Sequence, residues 1–97
     1  MISVRRHRTG HEMLIAACDE AILGKTVVEG DIRLEVSERF YGGEKVDKRV
    51  FQEVLAIATI ANLAGKETVD AAVEAGFVDP ECVLWVDGVP HAQIVKM

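Results

Sequence analysis

The sequence predicts an α+β fold. It is a two-layer sandwich, with a mainly antiparallel sheet of about five strands carrying two helices on one face. Three observations predict it. Short apolar runs bounded by turn signals stand at both ends of the chain, as hairpins do. A long stretch with apolar residues at helical spacing fills the middle. The chain has 97 residues, 49% of them apolar, which suits one core and a single compact domain over residues 1–97.

Ile2 to Arg8 reads as a strand, and Thr9-Gly10 as a turn. Met13 to Cys18 is a continuous apolar run of strand length, as in a strand covered on both faces. The two form a hairpin. Asp19 is placed to cap a short helical turn over Glu20–Leu23 that Gly24 ends. Val27 to Asp31 is extended or a turn. Ile32 to Val36 alternates as a half-buried strand, with Arg33 and Glu35 outward.

Asp47 caps the expected main helix, which extends to about Ala64. Val50, Phe51, Val54, Leu55, Ala58 and Ala61 form its stripe, widened by Ile57 and Ile60. From Leu55 onward only Thr59 and Asn62 are polar, so the second half must be nearly enclosed. A sheet and a helix, or another subunit, would cover it, and a homo-oligomer is one expectation. A second helix runs from Lys66 or Glu67 to Ala75 and stops at Gly76, with Phe77 as the hydrophobic contact of the stop. Cys82 to Val86 is a strand. Asp87-Gly88 is the strongest hairpin signal in the chain, and the return strand runs from Val89 to about Lys96. Pro90 cannot donate to a ladder, which predicts an edge strand or its solvent side.

Between strand and main helix lies Ser37-Glu38-Arg39-Phe40-Tyr41-Gly42-Gly43-Glu44. Two adjacent glycines allow close backbone approach, and two aromatics bring large apolar area. The loop reads either as a plug on the core edge or as a binding loop on a rigid scaffold. The segments Ser37–Gly43, Gly88–Gln93, and Cys18–Glu20 with Leu23–Lys25 resemble the signature stretches of a family of small archaeal proteins, domain of unknown function number 424. The resemblance spans essentially the whole chain in order. It implies an archaeal cytosolic protein with a compact α+β domain, and it carries over no catalytic residues, substrate or cofactor.

No apolar run approaches the ~20 residues of a membrane span, and the N-terminus lacks the pattern of a signal peptide. The expected location is the cytosol. Cys18 and Cys82 make no disulfide scaffold and read as small hydrophobes. One Asn and two Gln beside 28% charged residues fit a thermophile. Net charge is −5 but uneven. Residues 1–11 carry Arg5, Arg6, Arg8, His7 and His11 and no carboxylate. That strip could pair with nearby acids or meet an anionic ligand, RNA included. His7 and His11 flank a turn, where their spacing does not suit a metal, and none is expected.

Strong catalytic motifs are absent. Gly24-Lys25-Thr26 imitates the end of a phosphate loop, but Asp19 stands where the first glycine belongs and no helix follows. Gly65-Lys66 fails in the same way, with Ile60 and Glu67 at the diagnostic positions. No cofactor is expected. Cys18 and His91 would serve as nucleophile and base only if they met. Three functional readings follow. The first is a non-enzymatic binding or assembly protein, with Phe40, Tyr41, Gly42, Gly43, Glu44, Asn62, His91 and Gln93 as candidate contacts. The second is an RNA- or translation-associated protein using Arg5, Arg6 and Arg8 on phosphates. The third is a small enzyme with a site among Tyr41, Glu44, Asn62 and His91. The sequence leaves open whether the chain is an enzyme.

Overall fold

The structure, a computed structural model, describes residues 1–96. Its strands are β1 (Ile2–Thr9), β2 (Glu12–Asp19), β3 (Thr26–Glu29), β4 (Ile32–Glu35), β5 (Glu44–Val46), β6 (Ile60–Ala64), β7 (Leu84–Val86) and β8 (Val89–Val95). Its helices are α1 (Glu38–Tyr41), α2 (Lys48–Ile57) and α3 (Lys66–Glu74). Six strands form one sheet in the order β5-β1-β2-β6-β8-β7, and β3 with β4 makes a separate hairpin. All pairings are antiparallel except β2 with β6. The α+β sandwich with two helices on one face is therefore present, with six strands in the main sheet: it gains β5 and β6, while β4, expected in it, pairs apart with β3.

Strand alternation divides the sheet into two faces. Ile2, Val4, Ile15, Ala17, Ala61, Leu63, Ala92 and Ile94 pack under α2 and α3 around fully buried Phe51 and Leu55. Ala16, Cys18, Ala64 and Val86 point the other way, against Leu34, Val36 and Tyr41. β2 is thus covered on both faces, which explains its unbroken apolar run.

The long helix expected to reach Ala64 is the main correction. Asp47 does cap α2, its side chain accepting from the Val50 N–H at 2.9 Å. The helix ends at Ile57, however, and Ala58 is extended (φ −72°, ψ 144°). Thr59 then leads into β6. Its N–H donates to the Met13 carbonyl and its carbonyl accepts from the Lys96 N–H. A strand apolar on both faces shows the same continuous apolarity as an enclosed helix, so periodicity could not separate them. The oily segment is the strand between β2 and β8: Ala61 and Leu63 pack under the helices, while Ile60 and Asn62 on the other face are half-buried. The argument for a second subunit drawn from a bare helix falls away.

Two further departures are local. Asp19 does not cap the turn that follows it, a 3₁₀ turn over Glu20–Ile22, and its carboxylate goes to α3 instead. β8 is not an edge strand, because it lies between β6 and β7. Pro90 is tolerated there because Trp85–Pro90 lies one pair beyond the turn-closing Val86–Val89 pair. Its missing donor therefore falls on the β6 side, where β6 has already ended at Ala64. Asp87 (φ 47°) and Gly88 (φ 79°) make the left-handed pair that a type I′ turn requires. Gly76 (φ 82°) stops α3, and the Phe77 N–H reaches back to the Ala72 carbonyl.

Candidate functional site

The loop after β4 is held by the inner row of β1. Ser37 accepts from the Phe40 N–H and starts α1. Three alternating side chains of β1 then take three successive carbonyls of the loop. His7 Nε2 donates to the Phe40 carbonyl at 2.8 Å, fixing a proton on that nitrogen. Ser3 Oγ donates to the Tyr41 carbonyl at 2.8 Å and accepts from the Gly43 N–H at 3.0 Å. Arg5 donates to the Gly42 carbonyl at 3.1 Å. Period-two alternation puts these three side chains on one face. A Cβ on Gly43 would collide with the Val4 carbonyl, and one on Gly42 with the Glu38 carbonyl. The glycines therefore serve close backbone approach. Tyr41 is buried beside Cys18, whereas Phe40 is half-buried and stacks on the His7 ring, centroids 4.9 Å apart.

β1, β2, β6 and β8 carry the same face onward in register. One row runs Ser3, Cys18, Ala64, His91. The next runs Arg5, Ala16, Asn62, Gln93, and the third His7, Leu14, Ile60, Val95. The β3–β4 hairpin and α1 cover the first row. The far rows stay partly open: Leu14, Ile60 and Asn62 are half-buried, Arg5 and Gln93 exposed, and Val95 is 68% exposed. Gln93 Nε2 donates to Asn62 Oδ1 at 2.8 Å, so the two amides form one polar bar across β6 and β8. Asn62 thus lies on this surface.

The structure places Arg5, Asn62 and Gln93 in one row of one face, with Phe40 stacked on His7 of the next row and His91 in the row on the other side; of these, Asn62 and Gln93 are hydrogen-bonded. It does not bring Glu44 to them. Glu44 lies opposite Val4 on the helix-bearing face and pairs with Arg6 at 3.7 Å. Arg6 and Arg8 share that face, so the three arginines are split by alternation. They still converge on one edge: β5 pairs only with Ile2–Val4. Beyond Val4, β1 has no outer neighbour strand among the described residues. Arg8 is exposed there.

The reactive groups are subdued. Burial pushes the Cys18 thiol from 9.0 to about 11, with Asp19 adding to the effect and Lys45 opposing it. Burial likewise raises the Tyr41 hydroxyl to about 12, with Cys18 adding to it. Burial lowers His91, favouring neutral imidazole. Cys18 and His91 lie in one row with Ala64 between them, two strand spacings or roughly 10 Å apart. No enclosed pocket and no metal-ligating cluster occurs among the described residues.

Sequence reasoning did not align Leu14, Ile60 and Val95. Leu14 packs against the core as its apolar run predicts, but Ile60 lies in a strand where a helix is expected. The parallel β2–β6 and antiparallel β6–β8 pairings together put the three in one row. Sequence reasoning also missed Asp19, whose carboxylate takes the Glu67 N–H, Thr68 N–H and Thr68 hydroxyl at the start of α3. That helix terminus, where Gly65-Lys66 imitates a phosphate loop, already holds an anion from its own chain.

These features define a small α+β domain with a helix-covered sheet whose opposite face is half open. The chain belongs to the family described as "Protein of unknown function (DUF424)", whose model matches residues 7–97. It is also similar to an uncharacterized conserved protein from Methanopyrus kandleri, known from its crystal structure. The two are 25% identical with a TM-score of 0.79, over 99% of this chain and 93% of the other. No curated protein matches it. No described helix is long and apolar enough to cross a membrane.

Proposed function

We propose that this chain is a non-enzymatic cytosolic binding protein whose contact surface is the open half of the sheet. One observation carries the reading: Leu14, Ile60 and Val95 form an apolar row beside the Asn62–Gln93 amide bar, with Leu14 and Ile60 half-buried and Val95 exposed. Such a row with polar groups at its side is the composition of a binding surface. The subdued thiol and phenol favour contact over chemistry. The test is recovery of partners from native cytosol, using wild type and a Leu14→Lys/Ile60→Lys double variant checked for folding by circular dichroism. A molecule retained at stoichiometric level by wild type alone supports the reading. Equal recovery by both proteins contradicts it.

A second reading is favoured by the open edge of β1. Arg5, Arg6 and Arg8 line a strand edge, and an RNA backbone running along that edge would meet all three guanidiniums. Affinity for single-stranded RNA should then fall with added salt as counterions are displaced. Binding that ignores salt, or survives replacement of all three arginines by alanine, removes this reading.

A further inference from the structure

We propose that the outer edge of β7 is a docking strand for an extended cationic segment of a partner protein. This surface is separate from the open sheet face, and the inference stands on different observations. β7 is the last strand of the sheet and pairs only with β8 among the described residues. Val86 and Leu84 turn their N–H and C=O toward β8, so the Trp85 N–H and C=O are the outward pair, a template for another strand; sheet edges normally carry charge, proline or a bulge to prevent such pairing. The opposite end of the sheet follows that rule, with Lys45 on β5 and Arg5, Arg6, His7 and Arg8 on β1. β7 reads Leu84-Trp85-Val86: it is short, at three residues, but carries neither charge nor proline. Leu84 is 46% and Trp85 52% exposed. Alternation puts them on opposite faces, so both would flank an incoming strand.

Charge identifies the occupant. From Glu67 to Val95 the chain holds six carboxylates and no lysine or arginine. Asp79 and Glu81 precede β7 and Asp87 follows it. The β3–β4 hairpin adds Glu29, whose carboxylate accepts from the Asp87 N–H at 2.6 Å. None of these four acids joins an ion pair among the described residues. Pairing β7 with a second copy would set two such acidic ends together. A strand with apolar side chains at its centre and lysine or arginine at its flanks would instead match both the apolar edge and the acids. Backbone hydrogen bonds would supply affinity and alternate side chains specificity.

The probe is a blocked peptide of alternating valine and lysine, about nine residues long. Trp85, the single tryptophan, reports binding by its fluorescence, and hydrogen exchange reports protection of the Trp85 amide, which points away from β8. The expected result is a saturable blue shift of Trp85 with new protection at β7. Affinity should fall at least tenfold with glutamate in place of lysine, with alternate N-methylation of the peptide, or in a Leu84→Lys variant that keeps its circular dichroism. Glu81→Gln should weaken the salt dependence and leave the fold intact. The proposal is overturned by an unshifted Trp85 at millimolar peptide or by equal binding of the N-methylated peptide. It is equally overturned if β7 in the free protein is already protected by a second copy.

Discussion

Asp19 and Thr68 meet across 49 residues of sequence: one carboxylate oxygen accepts from both the Thr68 N–H and its hydroxyl, each at 2.8 Å. The end of β2 thereby caps α3, because the residue at the cap position is Gly65, which has no side chain to offer. Gly65 is itself required there. Its φ is +102°, and a Cβ would run into the Asp19 carboxylate.

Asp19→Ala should therefore lower stability by about 2–3 kcal/mol, since it strands the fully buried Thr68 hydroxyl and two helix N–H groups. Asp19→Asn keeps one oxygen acceptor and should cost about half as much. Urea denaturation of the two variants checks this. Equal stability of Asp19→Ala and wild type would show that the cap is dispensable.

Ser3 occupies a comparable position for the aromatic loop. Ser3→Ala removes the link between the Tyr41 carbonyl and the Gly43 N–H, at an expected cost of about 1–3 kcal/mol. The Gly43 amide should then exchange with solvent faster than in wild type, while the α3 amides hold their protection. Unchanged Gly43 exchange would mean that Arg5 and His7 suffice to hold the loop.

Alkaline pH should destabilise the protein through Cys18 and Tyr41. Both pKa values are raised in the folded state, so folding holds their protons more tightly than the unfolded chain does. That stability is complete below the unfolded values, near 9 for the thiol and 10 for the phenol. It is lost as pH rises through about 11 and 12. Tyr41→Phe should flatten the upper part of the fall. For His91 the shift is downward, so its contribution is present above pH 6.5 and lost on acidification. Urea midpoints measured from pH 5 to 11 would reveal a flat profile if these groups were solvated.

Thiol chemistry gives a simpler check. Cys82 is exposed and Cys18 buried. One thiol should react promptly with an aromatic disulfide reagent, and the second only after unfolding. Rapid modification of both would place Cys18 in contact with solvent.

Much of the fold was legible because most of its signals are local. Alternation in residues 2–8 and 32–36, the Asp87-Gly88 turn and the Gly76-Phe77 stop all act within a few residues. The break at Ala58-Thr59 was not legible, because β6 has apolar residues on both faces, four of five in Ile60–Ala64, and so continues the apolar run of the helix before it. β5 was missed because three residues, Glu44-Lys45-Val46, are too few to show alternation. Of the candidate site, Phe40, Asn62, His91 and Gln93 were picked out as side chains that stood apart from their surroundings. Their shared face depends on the register of β6 against β2 and β8, which no local pattern encodes. Arg5, Arg6 and Arg8 read as one cationic strip, although alternation within β1 puts Arg5 on the face opposite Arg6 and Arg8. Their common edge was not legible, because it depends on where β5 stops pairing.

The most direct test of the open sheet face is a nuclear magnetic resonance map of the protein titrated with the partner recovered from native cytosol. We predict shifts in the Leu14, Ile60 and Val95 methyls and in the Asn62 and Gln93 side-chain amides, with the outer face of α2 at Arg49 and Glu53 unmoved. Shifts confined to α2 and α3, with those five residues silent, would contradict the account.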